Sequence, residues 1–176
     1  MEQFFELYGI PETFHPELAA VKAKYYELSR LYHPDRYAQA GNTKMLEVLT
    51  LAAQNNKAWK TLSNPDATMA YVLRLNGMME DDEKYALPAD FLMEMMDLNE
   101  AVTDYEDRPE DTAAKETVVQ ALKTLFEEWH QAAETLTRRF DGGEKNKDLL
   151  LQIKDMYFRK KYLLRIQERI DKFAAR

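Results

Sequence analysis

The chain has 176 residues, of which 45% are hydrophobic and 31% charged, and its formal net charge is −7. This composition is typical of a folded protein, and the length allows one ordinary domain or two small ones. The negative charge argues against a nucleic-acid partner, and the absence of cysteine excludes disulfides, thiolate metal sites and cysteine catalysis. No apolar stretch approaches the ~20 residues that span a bilayer, and the acidic start MEQFFELYGI is unlike a secretory signal, so we expect a cytoplasmic protein without a membrane partner.

The first 77 residues predict four helices separated by short breaks. A short helix at FFELY is followed by the sequence GIP, which is a typical helix stop. The helix after Pro16 has one apolar stripe, whose members recur every three or four residues at Leu18, Val21, Tyr25, Leu28 and Tyr32. A third helix follows the dipeptide GN at 41–42, and a fourth starts at Pro65 with Asn64 as its N-cap.

The second half of the chain predicts a helical bundle. Residues 78–87 are interpreted as a linker, because they contain the acidic run EDDE and no helical stripe. After Pro88, three long helical patterns are separated only by breaks at Pro109 and at the GG pair 142–143, as in an antiparallel bundle. We therefore predict an all-α protein, in which a helical hairpin with short helices at 1–77 precedes a three-helix bundle at 88–176.

Charge is distributed unevenly along this second half. Residues 78–111 hold 13 acidic and 2 basic side chains, whereas residues 145–176 hold 10 basic and 4 acidic ones. Either the acidic and basic helices pack against each other, or each presents a charged face to a partner.

The stripe of the second helix is interrupted at residues 31–36, which read LYHPDR. Pro34 disfavours helical geometry at His33, so the helix is expected to end there and to be followed by a stiff turn. Asp35 can accept both hydrogen bonds of an arginine, and His33 offers a donor and an acceptor on one ring. The turn therefore presents two recognition groups at a low entropic cost of binding.

This region resembles the J-domain of DnaJ-type co-chaperones. The resemblance rests on FFELYGI, on the basic helix YYELSRLY leading into HPDR, and on NNKAWKTLSNP followed by a tyrosine. It implies a J-domain at 1–77 that stimulates ATP hydrolysis by a 70-kDa heat-shock chaperone of the HscA or DnaK type. The residues implied in chaperone binding are Lys22, Lys24, Arg30, His33, Pro34, Asp35 and Arg36. Arg36 stands where lysine is commoner in the family, and Thr68 stands where many members have an arginine that forms an internal ion pair.

The remainder of the chain, and above all LPADFLMEMMDLNEAV, resembles the HscB family of J-domain co-chaperones. In that family a C-terminal three-helix bundle binds the iron–sulfur scaffold protein IscU and delivers it to HscA. The dense methionines favour a docking face on chemical grounds, because methionine side chains adapt to a partner surface. The residues implied in scaffold binding are Leu92, Met93, Met96, Asp97, Glu100 and Phe158. We expect Met95 and Leu98 in the bundle core; Asp97 replaces the usual glutamate, and the lack of a Cys-rich segment implies a bacterial-type member.

The sequence offers no catalytic or metal-binding pattern. Its histidines, His15, His33 and His130, are far apart, and neither an HExxH motif nor a glycine-rich phosphate loop is found. We therefore expect a monomeric co-chaperone without a cofactor, a metal or enzymatic activity of its own. Two alternatives stay open: a J-domain co-chaperone for a different client, and a helical interaction module in which HPD is only a turn.

Overall fold

The structure is a computed structural model that describes residues 3–174, and every regular element in that range is helical. The predicted all-α class is therefore confirmed. The chain divides into two compact units. One comprises Met1–Met79 together with Phe140–Glu144, and the other comprises Glu80–Arg139 and Lys145–Arg176. The boundary after Met79 lies inside the segment 78–87 that the sequence analysis interpreted as a linker.

Within the described residues, the first unit contains four helices, as its sequence breaks predicted, and one 3₁₀ turn, which was not predicted. These are α1 (Phe4–Tyr8), α2 (Leu18–Leu31), the 3₁₀ turn (Pro34–Tyr37), α3 (Asn42–Leu62) and α4 (Pro65–Leu75). Gly9 ends α1 with a positive φ of 65°, a conformation that favours glycine. The Asn64 side chain accepts a hydrogen bond from the Ala67 amide at 2.9 Å, which confirms the predicted cap of α4.

A buried polar residue connects α1, α2 and α3. Asn55 of α3 is only 1% exposed. Its side-chain oxygen accepts a hydrogen bond from the Tyr8 hydroxyl at 2.9 Å. Its amide nitrogen donates to the Tyr25 carbonyl at 3.1 Å and to the Ser29 hydroxyl at 3.0 Å. A buried amide with all of these partners fixes how the three helices fit together, because any shift would leave a polar group unpaired.

Thr68, which stands where the family resemblance implied an arginine, is a buried polar residue at the start of α4. Its side chain is fully buried, and its hydroxyl donates to the Thr61 carbonyl at 2.9 Å. The threonine thus ties the start of α4 to the end of α3 by a partly buried hydrogen bond.

The turn at 140–144 belongs to the first unit through contacts with residues 13–15. The Asp141 carboxylate accepts hydrogen bonds from the Thr13 hydroxyl at 2.7 Å and the Phe14 amide at 2.9 Å, and lies 2.7 Å from His15 Nδ1. The rings of Phe14 and Phe140 meet edge to face, with centroids 4.9 Å apart. This cluster was not predicted from the sequence, because its two parts are more than 120 positions apart.

The second unit is built on three long helices, α5 (Ala89–Asp107), α6 (Thr112–Asp141) and α7 (Lys147–Ala174). The last two residues of α6, Phe140 and Asp141, belong to the first unit. Buried residues of α5 recur at alternating steps of four and three, at Phe91, Met95, Leu98, Val102 and Tyr105. They pack with the buried side chains of α6 and α7, namely Val118, Leu122, Leu163, Ile166 and Ile170. This repeat points one face of α5 into the core and leaves its opposite face to solvent.

Candidate functional site

The HPD turn follows directly after the end of α2. Tyr32 closes the helix, and His33 takes an extended conformation, with φ −70° and ψ 124°, as expected before a proline. The Nδ1 atom of His33 accepts a hydrogen bond from the Asp35 amide at 3.4 Å. The side chains stay open to solvent: that of His33 is 57% exposed and that of Asp35 is 91% exposed. Both recognition groups are therefore available to a partner protein.

The residues after the turn anchor it to α2. An Arg36 guanidinium nitrogen donates to the Arg30 carbonyl at 3.1 Å, and the Tyr37 hydroxyl donates to the Leu31 carbonyl at 3.1 Å. These carbonyls are in the last turn of α2, where backbone acceptors lack helical partners. Arg36, which the family resemblance implied as a chaperone contact, thus also positions the turn. Tyr37 was not predicted to take part in this site, although its position four residues after His33 could have indicated a contact with the end of α2.

The basic side chains of α2 do not form one face. Lys22 and Arg30 are exposed and are eight residues apart, with the 52% exposed Tyr26 midway between them. Steps of four keep these three side chains on one side of the helix. Lys24 projects from a different side and pairs with Glu27 at 3.0 Å. The cationic surface next to the HPD turn therefore consists of Lys22 and Arg30, with Tyr26 as an exposed aromatic that the sequence analysis missed.

The outward face of α5 carries the apolar residues that the family resemblance implied in scaffold binding. Leu92 is 41% exposed, Met93 69% and Met96 66%. Met95 is 1% exposed and Leu98 is 5% exposed, so both belong to the core, as predicted. Exposed large apolar side chains on one helix face are typical of an interaction surface.

The predicted acidic rim lies beside these apolar side chains. Asp97 and Glu100 are both exposed on α5. An apolar centre with a charged border is a common arrangement in protein interfaces. We refer to Leu92, Met93, Met96, Asp97 and Glu100 together as the α5 face.

Phe158 of α7 has a partner within its own unit. Its ring stacks on that of Tyr85, with centroids 4.5 Å apart and an interplanar angle of 8°. The Tyr85 hydroxyl donates to the Asp155 carboxylate at 3.0 Å, and burial together with this bond raises the pKa of Tyr85 to about 12. Nearby, Lys154 forms an ion pair with Glu83 and lowers the pKa of that carboxyl. Phe158 is therefore half-buried beneath the segment that precedes α5, and only part of its ring is exposed to solvent.

Residues 3–174 include no cluster of three or more histidine, aspartate or glutamate side chains arranged to hold a metal ion. Across the same residues, no helix combines the length and the apolar composition that crossing a bilayer would take.

Known proteins resemble both units of the chain. The family model of the HSCB C-terminal oligomerisation domain matches residues 87–171. The structure of chaperone HscB from Vibrio cholerae superposes with a TM-score of 0.77 at 25% identity, over 97% of this chain and 96% of that one. The structure of the human co-chaperone protein HscB superposes with a TM-score of 0.74 at 26% identity, over 96% of this chain and 80% of the human one. The family model covers the bundle and both superpositions extend over nearly the whole chain, so the chain is similar to HscB co-chaperones in the sequence of its second unit and in its whole fold.

Proposed function

We propose that the protein stimulates the ATPase of a 70-kDa heat-shock chaperone of the HscA or DnaK type, and that it delivers the iron–sulfur scaffold protein IscU to that chaperone. In this role the protein acts by binding and has no catalytic chemistry of its own. Its contribution is to bring the ATPase and the client together, and so to aid iron–sulfur cluster assembly and transfer.

The geometry of the HPD turn is the observation that carries this proposal. His33 and Asp35 are exposed, while Arg36 and Tyr37 bind the last carbonyls of α2 and hold the turn in place. A turn whose shape is fixed before binding loses little conformational entropy in the complex. An exposed carboxylate on such a turn suits an arginine of the partner ATPase.

The neighbouring cations support the same role. Lys22 and Arg30 are exposed on α2 beside Tyr26. Positive charges of this kind accelerate the encounter with an acidic partner surface and favour the correct orientation. Lys24, paired with Glu27, is expected to contribute less than Lys22 or Arg30.

The α5 face supports the delivery of a client. Its three exposed apolar side chains, one leucine and two methionines, project from a regular helix next to two carboxylates. Methionine-rich surfaces adapt well to a partner. The α5 face is therefore the proposed contact for the scaffold protein.

Steady-state ATPase assays of HscA and DnaK test the first half of the proposal. We expect the wild-type protein to stimulate at least one of them, and we expect His33→Gln and Asp35→Asn to lose at least about tenfold in stimulation. His130→Gln is the matched control, because His130 is an exposed histidine on α6 of the other unit. Circular dichroism melts should show that all three variants keep the wild-type fold.

Full stimulation by folded His33→Gln would contradict the co-chaperone role and would favour a helical interaction module in which HPD is only a turn. Stimulation without measurable binding of IscU would instead point to a J-domain co-chaperone for a different client.

A further inference from the structure

A groove with a positively charged border lies along α7 in the second unit. It is formed between the segment 83–87 and α7 and has a volume of about 500 Å³. Its floor includes Tyr85, Phe158 and Leu164, and its border includes Lys84, Lys161 and Arg165. We call this feature the basic groove.

The floor of the basic groove is apolar. The parallel stack of Tyr85 on Phe158 provides a flat aromatic surface, and Leu164 beside it is 38% exposed. An apolar floor of this kind can take a leucine or an aromatic side chain of a partner.

The border of the basic groove carries cations that the protein itself does not neutralise. Lys84, Lys161 and Arg165 are all exposed, and none forms an ion pair with a carboxylate within residues 3–174. The two carboxylates that line the groove do have cationic partners: Glu83 pairs with Lys154, and Glu168 lies 3.6 Å from Lys172. The groove therefore has a surplus of positive charge, although the whole chain is acidic.

The basic groove is continuous with the α5 face. Leu92, Met96 and Asn99 are spaced by four and three residues, which places them in one row along α5. Asn99 donates to the Tyr162 hydroxyl of α7 at 2.9 Å. The guanidinium of Arg165, on the groove border, lies 5.5 Å from the centroid of the Tyr162 ring. One surface thus runs from the acidic α5 face across Tyr162 to the basic groove.

We propose that the basic groove binds an acidic segment of the same client protein that contacts the α5 face, with a leucine or aromatic side chain of that segment on the groove floor. This inference rests on the proposed function, since the client is the scaffold protein named there. Two adjacent surfaces of opposite charge allow a client of matching charge pattern to bind in one orientation only. The same pattern rejects a client whose acidic segment would meet the carboxylates of the α5 face.

Calorimetric titration with IscU tests the groove. The double variant Lys161→Ala/Arg165→Ala should bind about three- to tenfold more weakly than wild type at about 50 mM salt, because each partly exposed charge pair contributes a few-fold. The difference should shrink at about 500 mM salt, where such pairs are screened. The matched control is Lys115→Ala/Lys123→Ala, which removes two exposed cations from α6 and should bind like wild type in low salt.

Met96→Ala, measured in parallel, separates this inference from the proposed function. If Met96→Ala weakens IscU binding but the groove variant binds like wild type in low salt, the basic groove is overturned and the α5 face stands. If neither variant weakens binding, the proposed client site itself is lost. Light scattering of the wild type and the groove variant provides a further check, since a dimer that dissociates on mutation would make the groove a contact between two copies and would also overturn the inference.

Discussion

Neighbouring methionines of α5 should respond to truncation in opposite ways. Met95 is 1% exposed and packs within the core cluster of the bundle, so Met95→Ala removes a buried side chain and leaves a cavity. Such truncations cost about 2–5 kcal/mol of unfolding free energy. For a unit of this size, each kcal/mol lowers the melting temperature by about 4–8 °C, so we expect a loss of about 8–40 °C.

Met96, the next residue along the chain, is 66% exposed. Met96→Ala should change the unfolding free energy by no more than about 0.5 kcal/mol, because little buried surface is lost and alanine favours helix. Binding of IscU should weaken about five- to thirtyfold, which corresponds to about 1–2 kcal/mol for truncation of an interface residue.

Differential scanning calorimetry measures the first quantity, and isothermal titration at a temperature where both variants are folded measures the second. Met96 would belong to the core, against this prediction, if Met96→Ala lowered the melting temperature as much as Met95→Ala. The prediction would equally fail if folded Met96→Ala bound IscU like wild type, since the exposed methionine would then be outside the interface.

Further predictions concern buried polar groups. Asn55→Ala should reduce the unfolding free energy, measured by urea titration, by about 2–3 kcal/mol, because it leaves buried partners of the amide unpaired. The control Asn56→Ala replaces an exposed neighbour and should stay within about 0.5 kcal/mol of wild type. Stability should decline in alkali, because burial raises the pKa of Tyr8 and raises that of Tyr85 to about 12. A tyrosine whose pKa is higher in the folded state than in the unfolded state stabilises the fold. This stabilisation is complete below about pH 10, the pKa of tyrosine in the unfolded chain, and is lost as the pH rises towards the pKa in the folded state. Tyr85→Phe should flatten this decline in melts between about pH 9 and pH 12, and an unchanged slope would contradict the assigned environment.

Much of the fold could be read from the sequence, because helix boundaries and helix faces depend on neighbouring residues. Pro34 ends α2 and Asn64 caps α4, whereas the family resemblance, and not the spacing of apolar residues alone, assigned Met95 to the core and Met96 to the exposed face. The position of the HPD turn follows from the same local rules. The functional interpretation needed more than these rules, since it came from the resemblance of whole motifs to the J-domain and HscB families.

Other features depend on contacts between residues distant in sequence. No local pattern indicates that Phe158 stacks on Tyr85, or that Asp141 joins residues 13–15 in the first unit. Periodicity shows which side of a helix is apolar, but it does not show which segment packs there, because many segments could cover an apolar surface equally well.

The sequence by itself therefore determined an all-α chain, the stiff HPD turn and which residues of α5 share a face, since each is governed by steric and periodic effects within a few residues. Only the tertiary structure decided which charges remain available on the surface. Lys154 is neutralised by Glu83, which is 71 positions away, whereas Lys161 on the same helix has no carboxylate partner within residues 3–174. The strength of an electrostatic interaction depends on the distance between the charges in space and not on their separation along the chain. The basic groove therefore forms only when the segment 83–87 packs against α7.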